Sequence, residues 1–444
     1  MGKGAQGEVA GKSLRRTPSA LAQTGSQEQL SGVNKRYSRG ASNWESTSFT
    51  WDEIRSHHTE GDAWIVIKGL VYDVTDFAPM HPGGRAIYCL AGKDATETFT
   101  AFHENNTWKR LGDLRIGRVS EESQAEAPTS PFHSVLHLQG AEHHCHPLCR
   151  PGPACGVPQV HGSLVGCSTS RGPLLAAGGW LSHDFCHNQV FKYRPLNHAL
   201  GLFTGNVLQG FSVAWWKGKH NSHHAVPNEI DGAMPVDPDI DTLPFIAWDE
   251  NILKDASPSV RTLVRYQHQL FFPILFFARI SWATQGVQTA IGLKDPTQRL
   301  LETSLIGLHY AWMMSVPLYA GLSIIQSVLF LVVAEMLSGF LLGFVFVQSH
   351  NAMEIYDGSK DFASAQLVST RNIFGGVWND WFSGGLNRQI EHHLFPTMPR
   401  HNLAKTADAV KDLCVKHGYV YEEVGWFEAT QKVLACLQSI AAVA

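Results

Sequence analysis

Apolar residues change their rhythm along this chain, and each change marks a part of it. Residues 1–45 hold Gly, Ser, Gln and basic side chains with almost no large apolar ones. Such a segment cannot bury enough surface to offset the entropy of ordering, so a disordered tail is expected. No apolar core follows Lys3 or Arg15-Arg16 to make a signal peptide, and Gln6 stands where a myristoylation pattern needs Ser or Thr. From Phe49 to about Val119 the pattern turns globular. There WDEIRSHH reads as a short helix start and WIVIKGLVYDV as strand with a turn at Lys68-Gly69. Two later stretches, 304–325 and 327–348, reach membrane-spanning length and predict a hairpin that starts and finishes on one side. Glu335 inside the second is costly in lipid, so it is expected to face the bundle interior or else to mark a weak span. The run LFFPILFFARISW, 270–282, is short and ends on Arg279 and Trp282, which predicts a segment lying in the membrane interface.

Composition narrows the chemistry. A chain of 444 residues is long enough for two or three units. Lys+Arg 35 against Asp+Glu 39 gives a formal net charge of −4, without the basic footprint of a nucleic-acid binder. The 23 histidines, 13 tryptophans and 23 phenylalanines suggest metal ligation and a membrane interface together. The 8 cysteines are irregularly spaced, which favours a reduced, cytosol-facing setting over a disulfide framework.

Within the globular stretch, His81-Pro82-Gly83-Gly84 places a histidine beside one rigid and two permissive residues, so its ring can project from a tight loop. His103 follows a helical stretch after Ala101-Phe102. Two imidazoles on loops either side of a helix pair suit six-coordinate haem iron, which transfers electrons without an open oxygen site. With Trp64-Ile65-Val66 and Tyr72-Asp73-Val74, this pattern resembles the cytochrome b5 family over roughly seventy residues. The resemblance implies an α+β haem domain at residues 46–120, with His81 and His103 as axial ligands of haem b.

Three histidine clusters follow: HDFCH at 183–187, HNSHH at 220–224 and QIEHH at 389–393. Positions i, i+3 and i+4 of a helix share a face, so each cluster should project its rings into a common space. The first gives His183 and His187, the second His220, His223 and His224, the third Gln389, His392 and His393. A structural zinc needs four ligands and a hydrolytic zinc three, so seven imidazoles imply two metal ions. Paired ferrous ions that activate oxygen need electrons, and a haem module on the same chain supplies a carrier. A hydrolase would have no use for one.

With WLSHDFCHNQVF, WWKGKHNSHHAVPN, DPDIDTLP and HHLFPTMPRHNL, these clusters resemble the histidine boxes of membrane fatty acid desaturases from about Gly179 to the C-terminus. Gln389 in the third box and the fused haem domain match the front-end branch, which desaturates between an existing double bond and the carboxyl end. The resemblance implies an all-α, multi-spanning membrane domain at 179–444 with two non-haem iron ions. Their ligands would be His183, His187, His220, His223, His224, His392 and His393, with Gln389 at a ligand position and His350 as a further candidate. Asp184 would fix an imidazole tautomer from the second sphere. Asn188 stands where relatives often carry another histidine.

It further implies a fatty acyl-CoA or acyl-phospholipid substrate, O2, and NADH-cytochrome b5 reductase as electron donor. Δ6 action on C18 polyunsaturated chains is the expected outcome, with Δ5, Δ8, a sphingolipid long-chain-base substrate or an inactive haem-bearing electron carrier as alternatives. The bilayer would be that of the endoplasmic reticulum, with the haem and all three boxes on its cytosolic face. One region departs from the pattern. Residues 121–178 form a linker and, from 131, a Pro-, Gly-, Cys- and His-dense stretch where the family carries a pair of apolar spans. His143, His144, Cys145, His146 and Cys149 match no tetrahedral zinc spacing, so a frame or gene-model error is the expected origin.

Overall fold

A computed structural model describes residues 44–124, 178–358 and 360–444. The expected N-terminal tail up to residue 43 and the anomalous stretch 131–177 lie outside the described residues.

The N-terminal domain begins with α1 (Trp51–Ser56), started by a capping box in which Thr50 accepts from the Glu53 amide and Glu53 accepts in return. Five strands form one sheet, with the expected WIVIKGLVYDV stretch supplying two of them: β1 (Ser48–Phe49), β2 (His58–Thr59), β3 (Asp62–Ile67), β4 (Leu70–Asp73) and β5 (Arg115–Val119), in the order β1-β5-β4-β3-β2. Lys68 and Gly69 both take left-handed φ, 52° and 72°, the twist a two-residue hairpin requires. Helices α2 (Ala86–Cys89) and α3 (Thr96–Phe102) close over one face. They bury Ile65, Ile67, Tyr72, Val74, Ile87 and Phe99 in one core.

The second domain is helical. A helix over 178–186 carries His183 of the first box, and His187 opens the turn that follows it. It is followed by α4 (Arg194–Leu202) and by α5 (Val213–Ala225), which carries the second box. Next come α6 (Gln267–Leu275), α7 (Ala278–Gly292), α8 (Pro296–Tyr319), α9 (Ile324–His350) and α10 (Phe362–Ser369). The short α11 (Gln389–Leu394) holds the third box, and α12 (Arg400–His417) and α13 (Trp426–Val443) complete the domain. Strands of two or three residues, such as 229–231 paired with 356–357, tie its loops together.

The predicted hairpin maps onto α8 and α9, but its turn falls at 320–323 instead of 326, and α8 does not reach spanning apolarity, so the expected first span is corrected. Its tip exposes Tyr319 (96%), Ile324 (69%) and Ile325 (82%), an apolar end that suits lipid rather than water. Among the described residues, α9 alone is long and apolar enough to cross a bilayer by itself. The α6–α7 pair passes the same test together, bent by 65°. The segment expected to lie in the interface, 270–282, is therefore not one short helix. It is two helices meeting at 276–277, and Arg279 is buried rather than turned to the headgroups. The reason is Glu335, whose carboxylate accepts from Arg279 Nε at 2.6 Å across the bundle, while Gln209 Oε1 accepts from the same guanidinium at 2.7 Å. Pairing settles both charges inside.

Candidate metal centres

His81 ends a 3-10 turn and His103 caps the C-terminus of α3, each in extended backbone, so both rings leave their loops toward the same space. Their centroids lie 5.9 Å apart with planes 40° to one another. The Nδ1 atoms point away from that space, His81 to the Gly84 carbonyl at 3.3 Å and His103 to the Phe99 carbonyl at 3.0 Å. Each Nδ1–H can thus donate, leaving Nε2 with a free lone pair, the tautomer that metal ligation needs. Burial pushes His81 down to about 4, against the Gly84 bond that raises it. Burial and the neighbouring His81 hold His103 down at about 3. Both rings are neutral at neutral pH, and the residues present fit a haem held between two imidazoles.

The three boxes converge. Ligand atoms of His183, His187, His220, His224 and His392 lie within 4.8 Å of one another, and those of His223, His350 and His393 form a second such group. The Gln389 amide is beside the second group, with Nε2 2.7 Å from His350 Nε2. The boxes do not each serve one point, as the helix-face expectation had it. His220 and His224 turn to the first group and His223 to the second, and His392 and His393 divide in the same way.

Many of these ring nitrogens are buried without a hydrogen-bond partner: both of His183, and Nε2 of His187, His392 and His393. Left so, each would cost about 1–3 kcal/mol. His223 Nε2 faces His350 Nε2 at 3.3 Å, and His224 Nε2 faces His220 Nε2 at 3.2 Å. Two neutral imidazole nitrogens cannot face each other through lone pairs alone. Cations between them would resolve both features, and an all-imidazole donor set suits iron, zinc or copper. Burial, reinforced by neighbouring imidazoles, holds His183, His187, His224, His392 and His393 well below the ordinary histidine value. His220 is at about 3, chiefly from burial. His223 runs the other way: burial lowers it, but Asp237 and Asp239 outweigh that and hold it above the ordinary value.

Groups that sequence reasoning missed orient these rings. His223 Nδ1 meets Asp237 Oδ2 at 2.8 Å, and the same oxygen accepts from the Asn228 amide at 2.8 Å. His393 Nδ1 meets Gln366 Oε1 at 2.8 Å while Gln366 Nε2 donates to the His224 carbonyl at 3.1 Å, so one side chain joins the second box to the third. Glu302, fully buried on α8, accepts from the Ala214 amide at 3.2 Å and fixes the start of α5. Asp237 stood in the DPDIDTLP motif without a role, and Gln366 sits in a helix with no periodic signal. Asp184 does not take the role expected of it. Its carboxylate accepts from Arg400 Nε at 2.6 Å, and His183 Nδ1 is 3.5 Å away, beyond a hydrogen bond.

Comparison with known proteins places both regions. Residues 160–425 match the model of the family described as fatty acid desaturase, and residues 50–120 that of the cytochrome b5-like heme/steroid binding domain. An acyl-lipid (9-3)-desaturase of Physcomitrium patens is 43% identical over 93% of this chain and 82% of its own length. A Delta(8)-fatty-acid desaturase of Euglena gracilis is 35% identical over 79% and 88%. The Delta(8)-fatty-acid desaturase 2 of Arabidopsis thaliana is 30% identical over 88% and 93%.

Proposed function

The chain belongs to the fatty acid desaturase family and carries a cytochrome b5-like domain ahead of the desaturase domain, and from that premise we propose that it inserts a cis double bond at the Δ6 position of C18 polyunsaturated acyl chains. The family is membrane-bound, and its reaction is an oxidation of a fatty acyl substrate by O2. When bound, the haem supplies a one-electron carrier and the di-iron centre the oxidising power. Two hydrogens leave adjacent methylenes, two electrons and two further protons are taken up, and O2 becomes two waters.

The observation that carries the reading is the convergence of eight imidazoles into two adjacent buried groups on the chain that also holds the His81–His103 pair. His183, His187, His220, His224 and His392 are proposed to hold one iron. His223, His350 and His393 hold the other, with Gln389 beside them, and His81 and His103 hold the haem. Asp237 and Gln366 keep His223 and His393 in the tautomer that presents Nε2 to the metal. The apolar hairpin of α8 and α9 supports a bilayer setting, taken to be the endoplasmic reticulum with a flavoprotein reductase as electron donor. The (9-3) designation of the Physcomitrium patens relative favours Δ6. The Delta(8) names of the other two support a second reading, Δ8.

Expression in yeast fed C18 and C20 acids, with gas chromatography of the products, separates these positions. A new long-chain-base double bond without a new fatty acid would replace the acyl reading with a sphingolipid one. Iron analysis of the purified protein should give about three irons per chain, one of them haem. A value of one would mean an electron carrier without a di-iron centre.

A further inference from the structure

The haem domain meets the desaturase domain along a seam centred on α5, the helix of the second box, and flanked by Glu229, the start of α4 and α10. Gly84, with φ +73°, lies so close that a Cβ there would sit 2.7 Å from the Gly218 Cα. Only glycine at 84 and no side chain at 218 let the His81 loop rest on the helix. Asn221, inside the second box, donates its side-chain amide to the Gly83 carbonyl at 3.1 Å. Lys93 pairs with Glu229 at 2.6 Å, and Arg194 pairs with Glu104 at 3.2 Å while donating to the Phe102 carbonyl at 3.0 Å. Ala101 and Phe102 pack with Phe362 in one apolar cluster. The Phe102 ring meets the His224 imidazole edge to face, centroids 6.0 Å apart at 85°.

Any two domains of a chain touch somewhere, and such contacts are commonly polar and small. This seam is set apart by what it joins. Both loops that carry the candidate haem ligands lie in it: 81–84 rests on α5, a helix carrying candidate iron ligands, and 101–104 meets α5 at His224, α10 at Phe362 and the start of α4 at Arg194. One peptide bond separates His103 from a ring in contact with His224. We infer that the seam is a built docking surface that holds the two metal centres in register for electron transfer. In it Phe102 is the positioning residue between His103 and His224, and the Lys93–Glu229 and Arg194–Glu104 pairs act as its clasp. With both groups bound, the seam would let electrons pass singly from haem to iron pair, two for each double bond, and the flavoprotein reductase would replace each one.

The inference rests on the functional reading above, and the test keeps the two apart. The full-length holoprotein is used, and wild type must first show a b-type Soret band and about three irons per chain. Absence of either sinks the functional reading and leaves the seam untouched as a docking surface. Stopped-flow re-oxidation of the pre-reduced haem, on mixing with O2 and acyl substrate, then reads the seam. Phe102→Leu should slow it by about tenfold with the Soret band, haem potential and iron content unchanged, while Phe102→Tyr, which keeps the ring, stays near wild type. Hydrogen exchange at residues 218–224 reads docking without reference to turnover. Lys93→Glu and Glu229→Lys should each raise exchange there and slow haem re-oxidation, and the double exchange Lys93→Glu with Glu229→Lys should restore both. Unchanged re-oxidation in Phe102→Leu overturns the role of Phe102. Unchanged exchange in both single charge variants, or no recovery in the double, overturns the clasp.

Discussion

His81 and His103 come from neighbouring loops of one small domain, and each is braced by a carbonyl three or four residues away, at Gly84 and Phe99. The eight imidazoles of the second region come from the helix at 178–186, from α5, from the end of α9 and from α11, and their braces come from elsewhere again, Asp237 and Gln366. The haem pocket is a local product of one sheet and two short helices. The histidine centre exists only once four elements have packed. A local site should fail locally, whereas a composite one should fail as a whole when any contributing element is disturbed.

The largest expected effect tests that contrast directly. Alanine at His183, His187, His220, His223, His224, His392 or His393 should abolish desaturation while the haem spectrum stays normal. Product chromatography beside a reduced-minus-oxidised spectrum checks both halves, and full activity in any one variant removes that residue from the centre. Next, His81→Ala or His103→Ala should remove the b-type spectrum and product formation, yet leave two non-haem irons per chain. Loss of those irons along with the haem would show that the regions assemble together and break the contrast.

Smaller effects sharpen it. Asp237→Asn and Gln366→Leu leave every proposed ligand in place but release a ring from its brace, so iron affinity should fall about 10–100-fold with the haem untouched. A competition titration with a chelator reads this, and unchanged affinity would make both residues packing only. Gln389→His should retain more activity than Gln389→Ala, because an imidazole can occupy the ligand position and a methyl group cannot. The reverse order in the product assay would exclude ligation there.

The mildest effect belongs to the haem-free protein. His81, at about 4 in the fold against an ordinary 6.5, binds fewer protons folded than unfolded across that interval. Its contribution to stability is therefore complete above 6.5 and declines as pH falls from 6.5 toward 4. His103, at about 3, acts in the same direction over a slightly wider window. Thermal unfolding of the haem-free protein should show its midpoint falling on acidification, and a rise would mean the imidazoles are charged in the fold.

The sequence by itself determined what depends on neighbours in the chain. HPGG and the turn at Lys68-Gly69, the capping residues of α1, the i, i+3, i+4 spacing of the boxes and the apolar length of α9 are local patterns with local physical causes, and each was readable. It also determined the donor chemistry, since so many imidazoles in three ordered boxes admit little besides metal ions. Tertiary structure alone decided how those donors are shared. Adjacent histidines such as His223 and His224 diverge by the angle one residue turns on a helix, so which of two metal groups each serves depends on what α9 and α11 place opposite them. The same holds for Arg279, which ends a short apolar run in the sequence and is read there as an interfacial anchor. Its partner Glu335 lies in another helix, and only packing brings the two charges within 2.6 Å. Asp237, Gln366 and Phe102 carry no signal of their own, because a brace or a bridge is defined by the group it touches, and that group is distant in the chain.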